Sequence, residues 1–190
     1  RRTWSIVGEG GDVPLKGKLR DDLTPFTLPG FQIEKQGNLY QLSTNVLQGE
    51  IDTGDFCLNW RTKSNDQPFA ADLKRRAYAY AQHGETIFHY MQRRAGEYYY
   101  GFGERSGALD KSGRRMRMLN LDALGYNAET GDPLYKHIPF YITFAPDLGL
   151  AYGLFYDNLS SSIFDMGQEK DNYYGSYRYY QAEAGDLDYY

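Results

Sequence analysis

Leu150-Ala151-Tyr152-Gly153-Leu154-Phe155-Tyr156 sets Leu150, Tyr152, Leu154 and Tyr156 on one side of an extended chain and Ala151, Gly153 and Phe155 on the other, because side chains alternate with period two along a strand. Such a strand has one wide and one narrow contact surface. Outward from it, short apolar runs recur between turn signals over residues 39–47, 56–62, 78–82, 86–92, 98–103, 115–121, 138–145 and 177–183. That spacing is expected of a sandwich or barrel. Residues 86–91, Thr-Ile-Phe-His-Tyr-Met, are apolar on both faces and predict a strand covered on both sides. Residues 1–30 hold much of the Gly and Pro and read as an irregular lead-in with short extended pieces. The best helical candidate, residues 69–76, is short and runs into the alternating Ala77-Tyr78-Ala79-Tyr80. With no α/β repetition, heptads or low-complexity tract, the expected fold is all-β, an antiparallel β-sandwich with little helix.

A chain of 190 residues fits one domain with a core large enough to need no disulfide or metal. Nineteen Tyr, ten Phe and two Trp make up 16% of it, and such residues suit both pleated, half-buried surfaces and sugar-stacking platforms. The net charge of −4 argues against nucleic acid and anionic membrane as partners. No apolar run approaches the roughly 20 residues that span a bilayer, and Arg1-Arg2-Thr3-Trp4 leads into no signal-peptide core. Cys57, the single cysteine, reads as a buried inert thiol, which leans toward a cytoplasmic setting. The chain starts without Met and stops at Asp188-Tyr189-Tyr190 within an expected strand, as a fragment cut at both ends would.

Several chemical motifs dissolve on inspection. Gly101-Phe102-Gly103-Glu104-Arg105-Ser106-Gly107 has the wrong spacing for a dinucleotide fingerprint, and turn-like residues rather than a helix follow it. His83, His89 and His137 follow no metal-ligand spacing, so neither metal nor other cofactor is expected. No nucleophile elbow accompanies Ser106. Asp186 and Asp188 fall two apart in an expected strand, and a solvated face explains them. The richest stretch is residues 116–140, where a strand gives way near Asp122 to a long loop of Asp, Asn, Tyr and Gly. Long ordered loops commonly carry function. These groups suit sugars, whose hydroxyls pair with carboxylate and amide while the C–H face packs on Tyr. A purely structural excursion is the competing reading.

Five segments in order, Tyr99-Tyr100-Gly101-Phe102-Gly103-Glu104-Arg105-Ser106-Gly107, Asn120-Leu121-Asp122-Ala123, Asp132-Pro133-Leu134-Tyr135-Lys136-His137-Ile138-Pro139-Phe140, Tyr152-Gly153-Leu154-Phe155-Tyr156-Asp157-Asn158 and Gly185-Asp186-Leu187-Asp188-Tyr189-Tyr190, resemble the N-terminal domain of family 31 glycoside hydrolases of α-glucosidase type. The likeness covers residues 75–190. It implies a galactose-mutarotase-like supersandwich over residues 1–190, packed against a (β/α)₈ barrel that lies beyond Tyr190. In that family the barrel supplies both catalytic carboxylates for retaining hydrolysis, so this segment alone is expected to be inactive. The resemblance also implies that the aspartate of Asn120-Leu121-Asp122 binds substrate at the pocket rim, near the leaving-group side. Ala123 follows it where some relatives carry a hydroxyl, which leaves leaving-group preference open.

The expected partners are thus an α-linked oligosaccharide and the barrel, with an apolar docking face near Asp122 that could drive self-association of the isolated domain. Two other readings stand beside this one. A free-standing carbohydrate-binding module would use exposed aromatics as its platform. An aldose epimerase would need a positioned His acid and carboxylate base, for which the three histidines show no pattern.

Overall fold

The structure, a computed structural model, describes residues 30–190, so nearly all of the lead-in expected over residues 1–30 lies outside the described residues. Strands β1 (Gln32–Gln36), β2 (Leu39–Ser43), β3 (Leu47–Asp52), β4 (Cys57–Thr62) and β5 (Ala70–Ala71) form one antiparallel meander in that order. They are followed by β6 (Tyr78–Tyr80), β7 (Ile87–Gln92), β8 (Tyr98–Gly103), β9 (Arg115–Met118), β10 (His137–Ala145), β11 (Leu150–Phe155), β12 (Ser162–Asp165) and β13 (Tyr177–Ala182). Here β11-β10-β8 make a three-stranded sheet and β6-β7-β13-β12-β9 a five-stranded one, all antiparallel. The all-β antiparallel sandwich is the fold. Among the described residues the helix content is one 3₁₀ turn at Pro146–Leu148.

The core lies where these two sheets face each other. Tyr99 and Phe102 of β8, Tyr141 of β10 and Leu154 of β11 meet Met91, Met116, Met118, Phe164, Tyr180 and Ala182 of the five-stranded sheet. Phe102 stacks on Tyr141 at 5.1 Å, and Tyr156 stacks on Tyr180 at 4.1 Å. Tyr99, Phe102, Tyr141, Tyr156, Phe164 and Tyr180 are therefore packing elements of this core, and Tyr90, Tyr177 and Tyr179 are buried in a second cluster. Strand β11 behaves as its period-two pattern predicts. Leu154 is buried and Tyr152 turns inward, while Gly153 leaves room for the Phe140 ring on the other face.

Two local expectations fail. Residues 69–76 form no helix: Ala70 and Ala71 pair with Trp60 and Asn59, Asp72 bridges to Met91, and a turn closes through Arg76 N–H donating to Leu73 O at 3.0 Å. Pairing to β4 outweighs the helical preference of alanine, which is a weak prior. The run over residues 39–47 is two strands, because the Thr44 hydroxyl accepts Leu47 N–H at 2.9 Å and folds the chain into a hairpin.

The end of β8 aims the chain toward the long loop. Gly101, Phe102 and Gly103 adopt φ of 115, 72 and 80°, where the register with β10 slips between His137 and Tyr141, the signature of a bulge. A Cβ on Gly103 would meet Ile138 N and Lys136 O at 2.7 Å. Left-handed strain alone costs about 1–2 kcal/mol for a residue with a side chain. Gly103→Ala is therefore expected to lower stability by about 2 kcal/mol or more, read as a drop in the urea midpoint at unchanged slope.

Candidate functional site

Strand β9 ends at Met118, and the chain leaves the sandwich for residues 121–135 before re-entering as β10. Asp122 is exposed and Ala123 half-buried. Among the described residues no side-chain hydrogen bond engages the Asp122 carboxylate, whereas the backbone on both sides of it is held. Leu121 N–H donates to Leu134 O at 3.0 Å, and the Tyr135 hydroxyl donates to Ala123 O at 3.2 Å. A free carboxylate on a held backbone is open to accept a hydrogen bond from outside the domain.

The loop is built from its own turn chemistry and three outside ties. Asn127 Oδ1 accepts Glu129 N–H at 2.8 Å and Thr130 N–H at 3.2 Å, and Gly131 N–H returns to Asn127 O at 2.8 Å. Gly107 N–H donates to Ala128 O at 2.9 Å, which grips the loop's middle. The buried Lys111 supports that grip by donating to Ser106 O and Ala108 O. At the exit, Asn120 Oδ1 accepts His137 N–H at 3.0 Å. Burial, and after it the Arg105 charge, push the His137 imidazole below its ordinary pKa.

Asp132, to which no sequence motif assigns a role, ties the loop most heavily. Its Oδ1 pairs with Arg105 Nη1, its Oδ2 accepts Arg117 N–H at 3.0 Å, and its carbonyl accepts Arg117 Nη2 at 3.2 Å. Its place in the Asp132-to-Phe140 segment was visible, but a pairing across 27 positions was not.

A continuous apolar face adjoins the loop. The outer side of β10 shows Ile138, Phe140, Ile142 and Phe144 to solvent, with Tyr98 of β8 beside Phe144 at 6.4 Å between ring centroids. Leu121, Leu124, Tyr126 and Tyr135 of the loop are exposed as well. Alternation in β10 buries Pro139, Tyr141, Thr143 and Ala145 on the opposite side, so this face is apolar by sequence and not by misplacement. Isolated exposed hydrophobics are ordinary, whereas a contiguous strip marks an interaction surface.

The remaining candidates have structural settings. His89 is 0% exposed. Its Nε2 lies 2.9 Å from Asp72 Oδ1 and its Nδ1 2.8 Å from the Tyr156 hydroxyl. Tyr78 donates to the other Asp72 oxygen at 2.7 Å and lies 2.8 Å from the Tyr189 hydroxyl. This His and carboxylate are both buried, Asp72 at 3% exposure, and their polar atoms are engaged inside the fold. Asp186 and Asp188 sit in an irregular segment and do not share a strand face, contrary to expectation. After β8 come bends and turns in place of the helix that a dinucleotide fingerprint requires. No cluster of three His, Cys, Asp or Glu side chains suited to a metal occurs among the described residues. Among them, too, no helix is long and apolar enough to cross a membrane. Burial, aided by Asp52, Asp72 and Asp55, pushes the Cys57 thiol up, as befits an inert group.

Comparison with known proteins is in register with this geometry. The family described as the glycosyl hydrolase 31 N-terminal galactose mutarotase-like domain matches residues 2–165. Alpha-glucosidase 2 of Bacillus thermoamyloliquefaciens is 38% identical over 117 residues, which is 61% of this chain and 14% of that protein. An alpha-glucosidase of Saccharolobus solfataricus is 39% identical over 74 residues, 39% of this chain and 10% of its own length. A glycoside hydrolase family 31 dextranase of Flavobacterium johnsoniae, solved with glucose, superposes with a TM-score of 0.71 at 26% identity, over 84% of this chain and 18% of that one. The chain thus spans less than a fifth of the length of each of these relatives.

Proposed function

We propose, from the premise that the chain belongs to the family of glycosyl hydrolase 31 N-terminal galactose mutarotase-like domains, that it is the leading domain of a retaining α-glucosidase-type enzyme. In this reading residues 121–135 form part of the pocket rim, and Asp122 accepts a hydrogen bond from a substrate hydroxyl on the leaving-group side. The observation that carries it is the free Asp122 carboxylate on a backbone tied at Leu121 and Ala123. Ala123 adds no hydroxyl beside it, so selectivity at this point rests on the carboxylate alone. The 190 residues by themselves hydrolyse nothing, since the family's acid and nucleophile belong to a barrel outside them.

The apolar strip on β10 is the natural seat for that barrel, because it borders the loop that must reach the pocket. The substrate class is an α-linked oligosaccharide, a choice supported by the alpha-glucosidase and dextranase relatives. The lone, buried Cys57 is in keeping with a cytoplasmic setting.

In the full-length protein, Asp122→Ala is expected to lower kcat/KM on oligosaccharides by roughly 10- to 150-fold, the worth of one charge-assisted hydrogen bond of about 1.5–3 kcal/mol. Circular dichroism and thermal midpoint should stay unchanged. Wild-type kinetics in that variant would remove the assigned role. Titrating the 190-residue chain with maltotriose and isomaltotriose by calorimetry tests the neighbouring idea of a self-sufficient binding module. Saturating heat would favour the module, and silence the rim domain.

A further inference from the structure

The loop that carries Asp122 leaves the sandwich at one strand and returns at another, so something must fix it to both layers. Arg105 follows β8 of the three-stranded sheet, and Arg117 lies on β9 of the five-stranded sheet. Asp132 bonds both. Its two carboxylate oxygens take the Arg105 guanidinium and the Arg117 backbone N–H, while its carbonyl takes the Arg117 side chain. One residue on the return limb of the loop therefore staples the loop across the rim of the sandwich.

The pair is no ordinary surface contact. The Arg105 side chain is 3% exposed and that of Asp132 18%. Arg105 Nε donates to Phe102 O at 3.2 Å and Nη2 lies against Met118 Sδ, so the guanidinium is seated on strand ends of both sheets. Burial lowers the Arg105 pKa more than Asp132 raises it, yet the group stays cationic at any neutral pH. Planar, pinned and shielded from water, it gives Asp132 a fixed anchor of the kind exposed pairs lack. From Asp132 the path to Asp122 is short. Leu134 O, two residues on, receives Leu121 N–H, and the Tyr135 hydroxyl, three residues on, donates to Ala123 O.

We propose that Asp132, anchored by Arg105, is a latch that fixes residues 121–135 to both sheets and so positions Asp122 without touching substrate. Arg105 and Asp132 are then positioning residues. The latch stands on the contacts above; its consequence for turnover rests on the reading of Asp122 as a substrate acceptor.

The experiment has two arms. In the 190-residue chain, hydrogen exchange is followed at Leu121, Gly107 and Gly131 for wild type, Asp132→Asn and Asp132→Ala. Opening of a latch predicts exchange about tenfold faster or more at these amides, with the β10 and β12 amides unchanged. Unchanged loop exchange, or an equal rise everywhere, overturns the latch. Should Asp132→Ala fail to fold, Asp132→Asn keeps an acceptor for Arg117 and decides the same question. In the full-length protein, Asp132→Asn is measured with Asp122 present and with Asp122→Ala. Positioning predicts a loss of kcat/KM in the first background that largely vanishes in the second. Equal losses in both overturn positioning. If Asp122→Ala is itself silent while loop exchange still responds, the acceptor reading falls and the latch stands as a purely structural device.

Discussion

Raising the pH from about 10 toward 12 is expected to unfold the sandwich in one cooperative step, with loss of circular dichroism tracking the rise in tyrosinate absorbance. Burial pushes the hydroxyls of Tyr141, Tyr180 and Tyr189 up to about 12, against about 10 for a free tyrosine. Burial also raises Tyr99, Tyr156, Tyr177 and Tyr179. Between those values the unfolded chain has released protons that the folded chain retains, so stability falls as pH rises. The contribution is fully present below about 10 and disappears as pH passes through the folded values. Each such tyrosine costs about 1.4 kcal/mol per pH unit, and three together about 4, against a total of roughly 5–15 for a domain. Tyr180→Phe should make the slope shallower by about 1.4 kcal/mol per pH unit, because it removes one titrating group. A chain whose tyrosines all ionise near 10 with its dichroism intact would show that these rings are not sealed in the core.

That prediction springs from a composition that was ambiguous in the sequence. Tyrosine at this frequency fits sugar platforms and packed sheets equally well, and only the placement of Tyr99, Tyr141, Tyr156 and Tyr180 between layers decides for packing. Period two was decisive where one face of a strand is buried, as in β10 and β11. Strands buried on both faces, β7 and β13, were legible instead as apolar runs between turn signals, but one such strand was not. Strand β12, Ser162-Ile163-Phe164-Asp165, went unnoticed because polar residues close both ends. Yet Asp165 is 0% exposed, where its carboxylate collects Gly167, Gln168 and Glu169 N–H groups and pairs with Arg115. Likewise the turn after Ser43 contains no Gly or Pro, and its hydroxyl-based closure through Thr44 leaves no breaker to read.

The loop at residues 121–135 was legible for a different reason. Its length, and the polar and aromatic residues gathered in it, stood out against the surrounding strands, and the Asn120-Leu121-Asp122 resemblance singled out one carboxylate. What holds that carboxylate in place was not legible, because Arg105, Arg117 and Asp132 are distant in sequence and look like ordinary surface charges. Neither was the Asp72 and His89 pair, since 17 positions separate its members and no motif joins them. Pairings of this kind depend on how strands are ordered within sheets, and strand order is the property that local pattern encodes least.

Glu97→Ala is expected to lower stability by about 3–5 kcal/mol, a large share of the roughly 5–15 kcal/mol that holds a domain folded. Arg178 extends from β13 into the sandwich interior at 1% exposure. There Nη1 meets Glu97 Oε2 at 3.0 Å and Tyr99 OH at 3.2 Å, Nε donates to Tyr141 OH at 3.2 Å, and Nη2 to Tyr152 OH at 2.6 Å. The guanidinium of one sheet thus bonds all three strands of the sheet opposite. Burial by itself would weaken its charge, but Tyr152, Tyr141, Tyr99 and Glu97 more than offset that and raise its pKa. Removing Glu97 strands a cation in the core, and the Tyr99 hydroxyl loses its acceptor at 2.6 Å. Arg178→Met should cost a comparable amount, because three tyrosine hydroxyls then lose a donor. If the cost is that of an uncompensated charge, Glu97→Ala with Arg178→Met should lose less than the sum of the single changes, by roughly 0.5–3 kcal/mol. Urea unfolding of the four proteins decides it. A Glu97→Ala change of under about 1 kcal/mol would mean that water reaches the pair, whereas strict additivity would mean that the tyrosines and not the ion pair join the two sheets.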